Sequence, residues 1–166
     1  MRRASFRDMN CSVAQSLEVL GEWWTLLIVR DAFFGVSRFE EFQSRLGIAR
    51  NILATRLETL VEAGILERRV YEEARGRSDY VLTAKGRALW PVLTALRQWG
   101  DDWMVGEGHA PVEMVHRTCG ARARAEMVCS HCGERLHGRD LKVVAGPGSD
   151  DPSLLRSSAP GRPGAD

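Results

Sequence analysis

The 166-residue chain lacks a charge excess, a long apolar run and an N-terminal export signal. Its 23 basic and 22 acidic residues leave a net charge of +1, so any DNA binding must use a local basic patch. The longest apolar stretch, around WWTLLIV, is too short to span a bilayer, and the basic segment MRRASFRDMNC has no apolar signal core. We therefore expect a cytoplasmic protein with no membrane partner.

The residue groupings typical of an enzyme are also missing from the sequence. We find no paired carboxylates, no nucleophile with a base and no phosphate-binding glycine loop, so we expect no catalytic activity. The four cysteines are few, and cytoplasmic thiols stay reduced, which favours metal ligands or reactive groups over disulfides. No internal repeat is expected.

Helical periodicity dominates the first part of the chain. CSVAQSLEVLGEWWTLLIVRDAFFG predicts two helices: the first is capped by Asn10 or Ser12, and the second, Trp23 to Phe34, is buried on most sides. SRFEEFQSRLG predicts a third helix with a capping box that begins at Ser37. IARNILATRLETLVEAG predicts a longer fourth helix, whose buried face is Leu53, Leu57, Leu60 and Val61.

The period then changes from helix to strand. ILERRVY and SDYVLT predict a hairpin with the polar tip EEARGRS, and TAKGRALWPVLTALRQWGDDWM predicts a further helix that Pro91 kinks or effectively begins. Two helices joined by a tight turn and followed by a hairpin are the element order of a winged helix-turn-helix. The predicted fold is mainly α with a small β-hairpin wing, plus a small C-terminal zinc-ribbon-like β appendage. The predicted boundaries are a winged-helix domain at 1–104, a linker at 105–111, the appendage at 112–144 and a disordered tail at 145–166.

The fourth helix is the candidate for reading DNA, because a recognition helix enters the major groove by its N-terminal end. Its first turns carry no acid, whereas Glu58 and Glu62 follow later on the outer face. Arginine can bridge two acceptors on guanine and asparagine a donor and an acceptor on adenine, so Arg50 and Asn51 are the candidate base readers. The full predicted contact set is Arg38, Ala49, Arg50, Asn51, Thr55, Arg56, Arg75 and Arg77, with Arg45 as an additional phosphate contact. The alternative interpretation is a set of solvated helix ends.

The segment HRTCGARARAEMVCSHCG, residues 116–133, has the spacing of a metal site. Its predicted ligands are His116, Cys119, Cys129 and Cys132, in two pairs that are each followed by glycine, as in a zinc knuckle. Four protein ligands leave no open position, so we expect a structural zinc ion rather than a catalytic one. His137 could replace His116, and a metal-free hairpin with vestigial thiols is the alternative.

Residues 10–104 resemble the HxlR-type winged helix-turn-helix transcriptional regulators. The resemblance is carried by WWTLLIVRDAFFGVSRFEEF, RLETLVEAGILERRVY, YVLTAKGRALWPVL and LRQWG. It implies a homodimer, joined through the first helix and the long helix after the wing, that binds a pseudo-palindromic duplex DNA operator. The sequence departs from many relatives in the wing, where EEARGRSDY lacks a proline, and at Glu22, Trp23 and Trp24, where a Gly-Lys-Trp-like segment is usual.

The resemblance also bears on Cys11, which precedes the first helix. Several family members sense oxidants or electrophiles with a cysteine at this position, and a thiol near a helix N-terminus ionises more easily. The alternative is a small residue packed at the dimer seam. We therefore expect a dimeric regulator, a repressor, with a structural zinc appendage. The second hypothesis is a zinc-ribbon adaptor whose winged helix binds a protein, and no residue identifies a small-molecule effector.

Overall fold

The computed structural model describes residues 5–72, 77–106 and 108–149. The chain forms two compact units, Met1–Ala110 and Pro111–Asp166, and their boundary falls within the predicted linker at 105–111. Most of the predicted tail at 145–166 lies outside the described residues. None of the helices in the described ranges has the length and apolarity that crossing a membrane requires.

The described residues of the first unit form six helices and one β-hairpin. In chain order they are α1 (Ser12–Leu20), α2 (Thr25–Phe33), α3 (Phe39–Leu46), α4 (Arg50–Glu62), β1 (Leu66–Glu72), β2 (Arg77–Leu82), α5 (Ala84–Arg87) and α6 (Trp90–Trp103). This is the predicted order, so the mainly helical fold with a two-stranded antiparallel wing is confirmed.

The start of α2 differs from the prediction. The helix begins at Thr25, and Trp23, which was expected in a buried helix, is 91% exposed. Trp23 lies in the turn between α1 and α2, whereas Trp24 packs against the core. Cys11, rather than Asn10 or Ser12, occupies the N-cap position of α1, with no side-chain capping bond.

The helix-turn-helix consists of α3, a turn at Gly47 and α4. Gly47 has a φ of 63°, a left-handed conformation that glycine adopts at little cost. Phe42 of α3 packs with the predicted apolar face of α4, and Leu53, Leu57 and Leu60 are fully buried. The predicted capping box at Ser37 is wrong: α3 starts one residue later, with Arg38 as its N-cap, because the Ser37 hydroxyl donates to Asp79 Oδ1 at 3.0 Å.

The wing is attached to this core at both ends. The hairpin register pairs Leu66 with Leu82, and Leu66 is buried against α4. On the far side of β2, the Tyr80 amide donates to the Ser37 carbonyl at 2.8 Å, which ties the wing to the start of α3. The hairpin tip at 73–76 lies outside the described residues.

Beyond the wing, the predicted long helix is divided into α5 and α6. Pro91 lies in the first turn of α6, where its missing amide is tolerated, so the proline marks the effective start of the helix. Much of the apolar face of α6 is solvent-exposed in the single chain. Its exposed members are Trp90, Val92, Leu96, Trp99 and Trp103.

The second unit is built from tight turns rather than from strands. Its described residues contain two isolated β-bridges, Val115 with Arg122 and Val128 with Arg135, and a short 3-10 helix, Gly138–Asp140. The segment ARARAEMV, which links the two ligand pairs, has a length that predicts one hairpin returning the second pair to the first. The described chain instead closes a separate hairpin around each pair, because each CysGly step turns the backbone back at once (φ of 70° at Gly120 and 76° at Gly133).

Candidate functional site

The N-terminus of α4 is the exposed end of the helix-turn-helix. Ala49 is its N-cap and offers no side-chain acceptor to the first amides of the helix. The first turn contains no acidic residue, and Ala49, Arg50 and Asn51 are all exposed. Free amides, the positive end of the helix dipole and a cationic side chain together make this end attractive to phosphate and to base acceptors.

Arg50 is positioned by a neighbour on α3. Its guanidinium carbon lies 4.7 Å from the centroid of the Phe39 ring, a cation–π contact that contributes about 0.5–1 kcal/mol at an exposed site. Because a stacked guanidinium keeps its N–H groups at its edge, Arg50 can still donate to a base or a phosphate.

Thr55 is exposed one turn further along α4. Its hydroxyl donates to the Asn51 carbonyl at 3.0 Å, so the proton that a phosphate would need is already used within the helix. The methyl group remains available, and apolar contact with a thymine methyl is the role that this geometry favours.

Arg56 is placed differently from the prediction for it. Its guanidinium lies 3.0 Å from the Glu22 carboxylate, in an ion pair that joins α4 to the segment between α1 and α2. Both side chains are only partly exposed, so a phosphate contact by Arg56 would require that this ion pair opens. The family departure at Glu22 is therefore linked to the candidate reading helix.

The remaining predicted contacts lie at the edges of the interface. Arg38 is exposed at the start of α3 and is bridged through its backbone to Asp79 of β2. Arg77 begins β2, but its side chain, like the whole of Arg75, lies outside the described residues. A further arginine on the exposed face of the wing is Arg68, which is not among the predicted contacts and whose Nε donates to Ser78 Oγ at 2.9 Å.

A buried carboxylate, Asp31, is a feature that the sequence analysis did not use. It is fully buried in α2 and accepts from Arg30 Nε at 3.0 Å and from Arg45 Nε at 3.3 Å. The two arginines are about half exposed (44% and 52%), so Asp31 fixes two cationic side chains of α2 and α3 while leaving much of each in solvent. The feature of the sequence that could have indicated this site is the adjacent pair Arg30 and Asp31 inside an otherwise apolar helix.

The predicted metal ligands are brought together only in pairs. His116 Nδ1 lies 3.3 Å from Cys119 Sγ. The pKa of the Cys129 thiol is lowered by hydrogen bonds from the backbone amide of Cys132, then by that of His131 and by the Cys132 side chain. Over the described residues, no three His, Cys, Asp or Glu side chains form a group that could hold a metal ion. Cys11 is exposed.

The element order, the exposed acid-free start of α4 and the attached wing together define a winged helix-turn-helix protein of the DNA-binding regulator class. Residues 19–107 match the HxlR-like helix-turn-helix family, so the chain belongs to this family. It is 43% identical over 144 residues to the HTH-type transcriptional regulator Rv3095 of Mycobacterium tuberculosis, a match that covers 87% of this chain and 91% of the relative. This protein is thus a transcriptional regulator with a helix-turn-helix fold.

Solved structures agree with this assignment. The transcription factor PA1607 is 42% identical with a TM-score of 0.77, over 86% of this chain and 100% of that chain. The reduced form of the redox regulator HypR is 31% identical with a TM-score of 0.51, over 54% of this chain and 90% of that chain. The 144 residues matched in the mycobacterial relative exceed the length of Met1–Ala110, so the similarity extends into the second unit.

Proposed function

We propose that this regulator binds a pseudo-palindromic DNA operator as a homodimer and acts as a cytoplasmic repressor. The observation that carries the proposal is the exposed, acid-free N-terminus of α4, where Arg50 and Asn51 stand side by side. Arg50 reads guanine and Asn51 reads adenine in the major groove. Ala49 and the Thr55 methyl make apolar contacts, and Arg38, Arg75 and Arg77 hold flanking phosphates.

Two exposed apolar faces support the dimer. In α1, Val13 is 68% exposed, and in α6, Trp103 is 74% exposed, with Leu96 and Trp99 also open to solvent. Contiguous apolar surface of this kind marks an interaction site, and a second copy would bury it while placing two α4 helices against two half-sites. Leu96→Glu should therefore convert the dimer to monomers in analytical ultracentrifugation, and a dimer that persists would exclude α6 from the interface.

The proposed redox response rests on Cys11 and on the relative HypR. Cys11 is exposed at the N-cap of α1, and HypR, whose reduced form resembles this chain, is named a redox regulator. We infer that oxidants or electrophiles modify Cys11 and thereby change operator affinity. If Cys11→Ser responds to quinone or hypochlorite as the unsubstituted protein does, the inference is wrong.

The second unit is, on this proposal, a zinc-ribbon-like appendage that holds a structural zinc ion and takes no direct part in base reading.

The test is selection of duplex DNA from a random pool at physiological salt. We expect a two-fold symmetric site, whose affinity falls by about 1–3 kcal/mol per half-site in Arg50→Ala. Arg139→Ala removes the same charge from the second unit and serves as the matched control, with little expected effect. If only steeply salt-dependent, sequence-independent binding is found, the adaptor hypothesis, in which the winged helix binds a protein, takes precedence.

A further inference from the structure

The second unit contains a short internal repeat, contrary to the expectation from the sequence analysis. EMVHRTCGAR at 113–122 and EMVCSHCGER at 126–135 share Glu, Met, Val, Cys, Gly and Arg at equivalent places. Each repeat therefore begins with the same three residues, passes through a ligand pair and ends on an arginine.

The repeat is also present in the backbone. In the first copy the His116 amide donates to the Ala121 carbonyl at 2.9 Å, and in the second the Cys129 amide donates to the Glu134 carbonyl at 2.8 Å. The Gly120 amide donates to the His116 carbonyl, as the Gly133 amide does to the Cys129 carbonyl. The Ala123 amide donates to the Met114 carbonyl, as the Leu136 amide does to the Met127 carbonyl. Each copy also contains an ion pair, Glu113–Arg122 in the first and Glu126–Arg135 in the second. We call the two copies the first and the second knuckle.

The difference between the knuckles is informative at one position. His116 of the first knuckle stands where Cys129 stands in the second, and both residue types are zinc ligands. The second ligand of each pair is a cysteine in both copies, Cys119 in the first and Cys132 in the second. The residues between them, Arg117-Thr118 and Ser130-His131, share no such chemistry. Each copy therefore carries two residues of the types that bind zinc.

The local geometry suits a tetrahedral ion. With Zn–S at about 2.3 Å and Zn–N at about 2.0–2.1 Å, tetrahedral coordination separates the N and S atoms by about 3.5–3.6 Å. His116 Nδ1 and Cys119 Sγ are 3.3 Å apart, a few tenths of an ångström closer.

The second unit also needs a source of stability other than a hydrophobic core. Among its described residues, 111–149, no side chain is buried, and only Met114, Cys129 and Leu136 are partly covered. A chain of this length without a core does not hold tight turns by apolar burial, whereas a structural ion can supply the missing folding free energy.

We propose that the two knuckles close on one Zn²⁺ ion per chain, bound by His116, Cys119, Cys129 and Cys132, and that this ion holds the second unit in its fold. The inference deepens the proposed zinc appendage and is independent of DNA reading. Each knuckle offers only two donors and a structural zinc needs four, so binding brings the knuckles together across the link 120–128. The two ligand pairs therefore form one zinc site.

The experiment measures zinc per chain in the full-length protein by mass spectrometry, and repeats the titration with Co²⁺ to detect tetrahedral thiolate absorption. We expect one ion per chain. Cys119→Ser and Cys132→Ser, one in each knuckle, should each weaken binding by more than about 100-fold, because a shared site fails when either half is lost. Cys11→Ser is the matched control, and His137→Asn against His116→Asn identifies the nitrogen ligand.

The folding role is measured by hydrogen exchange with and without a chelator. We expect residues 111–149 to lose protection while the core of the first unit retains it. Three results would overturn the proposal. The first is a zinc content that neither Cys119→Ser nor Cys132→Ser changes, and the second is half a zinc ion per chain. The third is a hydrogen-exchange protection of residues 111–149 that the chelator leaves unchanged. Operator binding is measured on the same samples, so a failed metal site and a failed DNA-binding function give separate results.

Discussion

Arg56→Gln separates two possible roles of a charged side chain on α4. The Arg56 guanidinium lies 3.0 Å from Glu22, with 23% and 29% of the two side chains exposed. At an effective dielectric constant near 20 the Coulomb attraction at that distance is about 5.5 kcal/mol, before the cost of desolvating both groups. Since measured pairs near the surface retain about 0.2–1 kcal/mol, we expect Arg56→Gln to lower the free energy of unfolding by about 1 kcal/mol.

The same substitution has a different signature if Arg56 contacts phosphate. Each phosphate contact contributes about 0.9 to the slope of log affinity against log salt concentration, so a dimer would lose about 1.8. From the ion pair with Glu22 we expect almost no change in slope. Glu22→Gln then provides the second half of the test: it should destabilise the fold as Arg56→Gln does, whereas it would raise DNA affinity if it released Arg56 for phosphate.

The assays are urea unfolding and fluorescence anisotropy with the selected operator over a series of salt concentrations. A slope that falls by about 1.8 with an unchanged unfolding midpoint would refute the ion-pair reasoning and support the phosphate contact predicted from the sequence.

Two further predictions concern stability. Asp31→Asn should lower the free energy of unfolding by about 1.5–3 kcal/mol, because it weakens charged hydrogen bonds to two arginines that can still be hydrated. The control is Glu67→Gln at an exposed ion pair, which should change the free energy of unfolding by less than about 1 kcal/mol. Equal effects in urea unfolding would contradict this. Gly86→Ala places a Cβ 2.2 Å from the Ile65 carbonyl oxygen and should cost about 1–3 kcal/mol, whereas Gly100→Ala, in open space within α6, should stabilise by about 0.5–1 kcal/mol. A tolerated Gly86→Ala, measured by thermal unfolding, would show that α5 can shift.

The parts of the fold that follow local periodicity could be predicted from the sequence. The buried face of α4 depends on residue spacing alone, and its members Leu53, Leu57 and Leu60 were predicted correctly. The two strands of the wing were also predicted correctly. The capping box at Ser37 was wrong because the hydroxyl has a competing acceptor, Asp79, forty-two residues away in the chain. Trp23 was placed in a buried helix because an apolar run does not show where the helix begins.

The charged contacts around the reading helix could not be predicted in the same way. Arg56 with Glu22 and Arg45 with Asp31 are pairs between different elements, and only the packed structure brings them together. The sequence alone therefore does not show that Arg56 and Arg45 have acidic partners. The internal repeat was readable from the sequence, but its significance depends on the matched hydrogen bonds of the two knuckles.

The fold of each unit is stabilised by a different kind of interaction. The first unit has a cluster of fully buried apolar side chains, including Ile28, Phe42 and Leu57, and this cluster holds α4 in place. The described part of the second unit has no buried side chain, and its turns repeat around one histidine and three cysteines. Removal of the proposed zinc ion should therefore unfold the second unit and leave the packing of α3 and α4 unchanged.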